Sequence, residues 1–157
     1  MQILLVEDDE FKAADIAKIL AESVPDAAIQ RAMSVTAALK AITAGAFSFV
    51  ILDMSLPTFD LSGPGGGGSP QSQGGLEVLR LARRLRSPAY FIILTQYPDI
   101  EIDGRDVPLP EAAKALRDRF QTDVRMCLLY EFDGDAWRRP LHDCLSALQT
   151  KVRRDTT

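Results

Sequence analysis

The chain has 157 residues, enough for one domain with a real core, and 46% of them are apolar. A formal charge of −4 and a pI near 5.0 argue against a nucleic-acid footprint, which needs clustered positive charge. Two cysteines, Cys127 and Cys144, are too few and too far apart for a disulfide framework or a zinc site.

The apolar pattern alternates between two kinds of segment. "QILLV" (2–6) is a short continuous apolar run, as expected for a strand covered on both faces. Four acids follow it: Glu7, Asp8, Asp9 and Glu10. Residues 11–23 form a helix, with Ile16, Ile19 and Leu20 at helical spacing. "AAIQRA" (27–32) is a second, weaker strand. Ser34 can cap the next helix, where Val35, Leu39 and Ile42 share a face and Gly45 ends the run. "FSFVIL" (47–52) is the clearest strand, and it too ends in an acid, Asp53.

Residues 58–75 are rich in Gly, Ser, Pro and Gln and read as a flexible insertion. They lack the Gly-Lys-Ser/Thr ending of a phosphate-cradling P-loop. A helix resumes over 76–86, with its basic residues on a solvated face. "YFIIL" (90–94) is a fourth strand, followed by Thr95. Residues 96–110, with three prolines, read as an extended irregular loop. Pro110 suits the first turn of a helix over 111–120. "VRMCLLYEF" (124–132) is a fifth strand. Trp137, Leu141, Leu145 and Leu148 stripe a closing helix, and 151–157 is a basic tail. Cys127 and Cys144 read as packing residues, and His142, the single histidine, as a surface or boundary residue.

Strands alternating with helices pair in parallel through right-handed crossovers. The expected fold is α/β, a doubly wound five-stranded parallel sheet flanked by five helices, occupying residues 1–150. Sites in such folds form outside the carboxyl ends of the strands. Glu7 and Asp8, Asp53, and Thr95 each follow a strand and should meet at one edge. Carboxylates brought together repel, and a hard cation such as Mg²⁺, which takes oxygen ligands, relieves that repulsion. A carboxylate is also a competent nucleophile toward phosphorus, forming an aspartyl-phosphate.

"LLVEDDE", "VILDMSLP" and "FIILT", in this order, resemble the receiver domain of two-component response regulators. The resemblance implies a flavodoxin-like, CheY-like sandwich with Asp53 as phosphoacceptor. It also implies Glu7, Asp8, Asp53 and the backbone carbonyl of Ser55 around Mg²⁺, and Thr95 as switch hydroxyl. Pro57 stands at the family spacing from Asp53, and Gly75 matches the glycine before the third helix. A histidine kinase or phosphotransfer protein is the implied donor, and a downstream protein the implied reader. No nucleic-acid or membrane partner is expected. Homodimers through the fourth helix and fifth strand occur in the family, and the altered surface here leaves that open. No leader is legible, no apolar run reaches a membrane span, and only the short tail follows the last helix, so a cytoplasmic, stand-alone, non-enzymatic regulator is expected.

Several positions depart from the family. The lysine that ends the fifth strand and bridges acceptor and phosphoryl group is absent: Tyr130 stands there, followed by Glu131. Lys114 and Arg125 are the candidate substitutes for its charge. Gln96 replaces the small residue after the switch threonine, and Cys127 the switch aromatic, for which Tyr97 or Tyr130 can stand in. The Thr-Gln-Tyr stretch, the long loop after it, the Tyr-ended strand and Trp137 resemble divergent stand-alone bacterial receivers. The two insertions flank the site and read as a lid or a partner surface. Two other readings stay open: a pseudo-receiver that keeps the acids without turning over phosphate, and a small phosphatase, which lacks a second acid at Ser55.

Overall fold

The computed structural model describes residues 1–59, 70–71 and 73–155. Most of the Gly-rich insertion, at 60–69 and 72, therefore lies outside the described residues, as does the end of the basic tail at 156–157. The main elements are β1 (Gln2–Val6), α1 (Glu10–Ser23), β2 (Ala28–Ala32), α2 (Val35–Ala44) and β3 (Phe49–Leu52). A two-residue pair, β4 (Leu56–Pro57) and β5 (Pro70–Gln71), precedes α3 (Gly74–Arg84). Then come β6 (Tyr90–Thr95), β7 (Asp99–Ile102), β8 (Arg105–Pro108), α4 (Leu109–Phe120), β9 (Asp123–Leu129) and α5 (Arg138–Asp155).

β1, β2, β3, β6 and β9 form one parallel sheet in the order β2-β1-β3-β6-β9. This is the doubly wound architecture that the alternation of segments predicts. Side chains alternate between its faces. Ile3 and Leu5 of β1, with Phe49 and Ile51 of β3, pack against α1 and α5. Leu4, Val6, Val50 and Leu52 pack against the layer of α2, α3 and α4. The continuous apolar strands are thus covered on both sides, as parallel strands require.

The structure differs from the sequence reading in three places. Residues 96–110 are not irregular: β7 and β8 form an antiparallel hairpin. Its Asp103 and Gly104 both have positive φ, 51° and 78°, as a two-residue hairpin turn of the mirror-image type demands. Ile100 and Ile102 point inward and join the core beside Leu109 and Ala112 of α4. The fifth strand of the main sheet stops at Leu129, so Tyr130 follows it. The closing helix runs on to Asp155, through most of the residues read as a tail.

Candidate functional site at the carboxyl edge of the sheet

The four acids after β1 take four different positions. Glu7 is buried, and its Oε1 accepts from the backbone N–H of Asp9 at 3.0 Å. Asp8 is half-buried and faces the cleft described below. Asp9 caps α1: its Oδ1 accepts from the N–H of Lys12 at 2.7 Å, satisfying one of the free donors of a helix start. Glu10 lies outside and pairs with Arg31 at 2.8 Å. The apolar run thus delivers two carboxylates to the strand end, and the next acid turns the chain into a helix.

Asp53 arrives from β3, whose register with β1 sets Leu52 opposite Val6. Its backbone N–H donates to Val6 O at 3.0 Å, which brings it beside the β1 acids. Carboxylate oxygens of Glu7, Asp8 and Asp53 lie within 4.8 Å of one another. Together with Asp9, Ser55, Gln96 and Tyr97 they line a cleft of about 240 Å³. Asp53 Oδ1 accepts from the Ser55 N–H at 3.4 Å. Burial pushes the Glu7 carboxyl up to about 7 against the pull of Lys12, and the nearby Asp53 charge adds to the rise. Burial likewise raises Asp53, against Lys12 and the backbone N–H groups of Ser55 and Met54. Three carboxylates facing one ammonium leave an excess of negative charge on hard oxygen donors, a set that fits Mg²⁺.

The cation in this cluster is Lys12. Its side chain is 1% exposed, and its Nζ lies 2.7 Å from Glu7 Oε2 and 3.3 Å from Asp53 Oδ2. The pairs are close but oblique: neither Nζ nor Glu7 Oε2 has an aligned hydrogen-bond partner among the described residues. The ammonium also sits 5.6 Å from the centroid of the Tyr130 ring. Sequence reasoning missed it, although Lys12 lies one helical turn before Ile16 and so continues the buried stripe of α1.

The substitutes considered for the missing lysine are elsewhere. Lys114 pairs with Asp118 at 2.5 Å on the exposed side of α4. Arg125 pairs with Asp123 at 2.7 Å near the start of β9, the end far from the site. Tyr130 does not line the cleft. It is buried, and its hydroxyl donates to Asp15 Oδ2 at 3.0 Å, while Arg138 donates to Asp15 Oδ1 at 2.9 Å. Thr95 is buried at the end of β6, and its Oγ1 accepts from the Tyr97 N–H at 3.3 Å. It borders an adjoining depression with Met54, Tyr97, Asp99 and Ile100, whereas Gln96 and Tyr97 reach the acidic cleft itself. Gly75, in the first turn of α3, is forced by proximity. A Cβ there would stand 2.7 Å from Met54 Sδ and 2.8 Å from Asp53 O.

No family model matches the chain. Over 149 residues it is 32% identical to the Detocs response regulatory protein DtcB of Vibrio alginolyticus, spanning 92% of this chain and 99% of that protein. Among solved structures, the response regulatory domain of mrkE from Klebsiella pneumoniae superimposes with a TM-score of 0.65 at 11% identity, covering 98% of this chain and 99% of that one. A CheY-like receiver domain protein from Methanospirillum hungatei gives 0.62 at 18% identity, over 98% and 97%. The response regulator TrrA of Thermotoga maritima, in complex with Mg²⁺-BeF, gives 0.54 at 22% identity, over 94% and 97%. At these identities the solved structures speak for the fold alone.

Proposed function

This chain belongs to the response regulator receiver family of two-component signalling, and we propose that Asp53 is its phosphoacceptor. The observation that carries the proposal is the meeting of Glu7, Asp8 and Asp53 within 4.8 Å at the carboxyl edge of the sheet. A nucleophile and further oxygen donors for a cation are thereby held in one cleft. Asp8, Asp53 and the backbone carbonyl of Ser55 are the direct ligands we assign to Mg²⁺, with Glu7 completing the acidic set. A bound Mg²⁺ supplies positive charge to the phosphoryl oxygens. Asp53 presents its carboxylate, the backbone N–H of Ser55 orients one oxygen, and Gln96 and Tyr97 restrict water at the mouth.

Receivers are regulatory domains, and the chemistry proposed is limited to self-catalysed phosphotransfer and dephosphorylation. Thr95 is the proposed switch hydroxyl. Only Gln96, Tyr97 and Pro98 separate it from β7, so a shift of Thr95 toward the phosphoryl group would move the hairpin with it. The hairpin is the surface we assign to a downstream protein. For the donor, a histidine kinase or phosphotransfer protein, the proposed contact is the stacked pair Phe11 and Phe132. Their ring centroids are 4.4 Å apart and both rings are more than half exposed. The pseudo-receiver reading rests on the missing lysine of the fifth strand, on Gln96 and on the two insertions, and Lys12 Nζ at 3.3 Å from Asp53 Oδ2 weighs against the first of these.

The test is intact-mass measurement after incubation with Mg²⁺ and a small acyl-phosphate donor. One added phosphoryl group is expected, absent when the metal is chelated and absent in Asp53→Ala. An unmodified wild-type chain, or equal labelling of Asp53→Ala, would reject the proposal.

A further inference from the structure

We infer that Lys12, from the first turn of α1, is the catalytic cation that contacts the acceptor carboxylate and the incoming phosphoryl group. It would thereby take over the role of a lysine at the end of the fifth strand. This rests on the reading of Asp53 as phosphoacceptor. The two oxygens of Asp53 face different partners: Oδ1 faces the Ser55 N–H, and Oδ2 faces Lys12 Nζ at 3.3 Å. An ammonium carries three donors, and this one is buried with none of them aligned on an acceptor among the described residues. A buried ammonium is held best when its donors are aligned on acceptors, and Lys12 meets its two carboxylates only obliquely. A phosphoryl oxygen arriving at Asp53 would give it a further acceptor.

The approach of Lys12 follows from the helix start. Asp9 caps α1 through the Lys12 N–H, and side chains in a helix lean toward its N-terminus. The lysine is therefore directed back over the strand ends. Tyr130 explains why the cation comes from this side. Tyr130 is buried just past the end of the fifth strand, its hydroxyl is committed to Asp15, and Lys12 lies over its face. In the transfer, an Asp53 oxygen forms the new O–P bond. The bond between phosphorus and the donor atom breaks, an imidazole nitrogen for a phosphohistidine or a carboxylate oxygen for acetyl phosphate, and the donor leaves with the electron pair. Lys12 keeps its proton throughout and neutralises charge on the phosphoryl oxygens.

The competing view is that Lys12 only balances the carboxylates until a metal displaces it. Wild type, Lys12→Met and Lys12→Arg separate the two. Phosphoryl uptake from acetyl phosphate is followed by intact mass at saturating Mg²⁺, and Mg²⁺ affinity is measured by calorimetry on the same samples. Lys12→Met is expected to slow uptake about 100-fold while binding Mg²⁺ at least as tightly as wild type. Lys12→Arg should recover part of the rate. Uptake by Lys12→Met at the wild-type rate would overturn the inference while leaving Asp53 as acceptor. Loss of Mg²⁺ binding together with uptake in both variants would also overturn it, in favour of a purely structural lysine. A wild-type chain that takes up no phosphoryl group would instead remove the reading beneath it.

Discussion

Asp15 and Tyr130 form a buried polar contact beside the acidic cluster. Asp15 sits on the buried face of α1, held by the Tyr130 hydroxyl and the Arg138 guanidinium. Burial acts to raise its carboxyl, but the hydrogen bonds from Arg138 and Tyr130 outweigh it and hold the group below the ordinary carboxylate range. Its contribution to stability is therefore present above the unfolded value of about 4 and lost as pH falls through the folded value. Tyr130 works at the other limit: burial first, then its bond to Asp15, push the phenol up to about 12. That contribution is complete below the unfolded value of about 10 and lost as pH rises through the folded one. Denaturation across pH should show Asp15→Asn flattening the acid limb and Tyr130→Phe the alkaline limb. At neutral pH Tyr130→Phe should cost about 1–2 kcal/mol and leave phosphoryl uptake unchanged, because the hydroxyl faces Asp15 and not the cleft. A large loss of uptake would return Tyr130 to the reaction itself.

The acids were legible in the sequence at this scale because each follows an apolar run too short for anything but a buried strand. Lys12 was not, because a lysine in a helix ordinarily reads as solvated surface. The sign that it is not surface lies in its register, one turn ahead of Ile16 and two ahead of Ile19. Asp15 shares that buried face and carries the same hidden signal.

Among the elements, the hairpin and the start of α3 decide how the cleft is framed. The hairpin had a signal of its own: Asp-Gly between strands in which Ile100 and Ile102 alternate with acids. Pro98, Pro108 and Pro110 obscured it. Pro98 and Pro110 flank the hairpin, and Pro108 ends β8, an edge strand where proline is tolerated. Open space surrounds Gly104, so its substitution is limited by φ and not by contact. Gly104→Ala should cost about 1 kcal/mol and speed amide exchange in β7 and β8 while the five-stranded sheet stays protected. Faster exchange throughout the sheet would mean the hairpin is part of the core's cooperative unit.

Gly75 makes a different claim on its element. Here the added Cβ would press on the Asp53 carbonyl and on Met54, and the backbone there is tied by the Gly75 N–H to Met54 O bond of 3.0 Å. Gly75→Ala should cost about 1–3 kcal/mol and reduce phosphoryl uptake, since relief of the clash moves the acceptor. Unchanged uptake with lowered stability would show that α3 yields and Asp53 does not.

At the scale of the molecule, two core layers divide the labour. The layer of α2, α3 and α4 is apolar and carries the hairpin. The layer of α1 and α5 encloses a polar line from Glu7 through Lys12 and Asp53, with Asp15, Tyr130 and Arg138 beside it. Asp53 stands where the sheet ends between them. The parallel pairing, the crossovers and the meeting edge were legible because parallel strands with two covered faces leave one place for polar groups to converge. Asp53 is the carboxylate assigned to receive a phosphoryl group at this edge. Reductive trapping tests this assignment most directly: the chain is incubated with Mg²⁺ and acetyl phosphate, reduced with borohydride, and mapped by peptide mass spectrometry. Conversion of residue 53 to homoserine is expected, with Asp8 and Glu7 unchanged. Conversion at another acid, or at none, would contradict it.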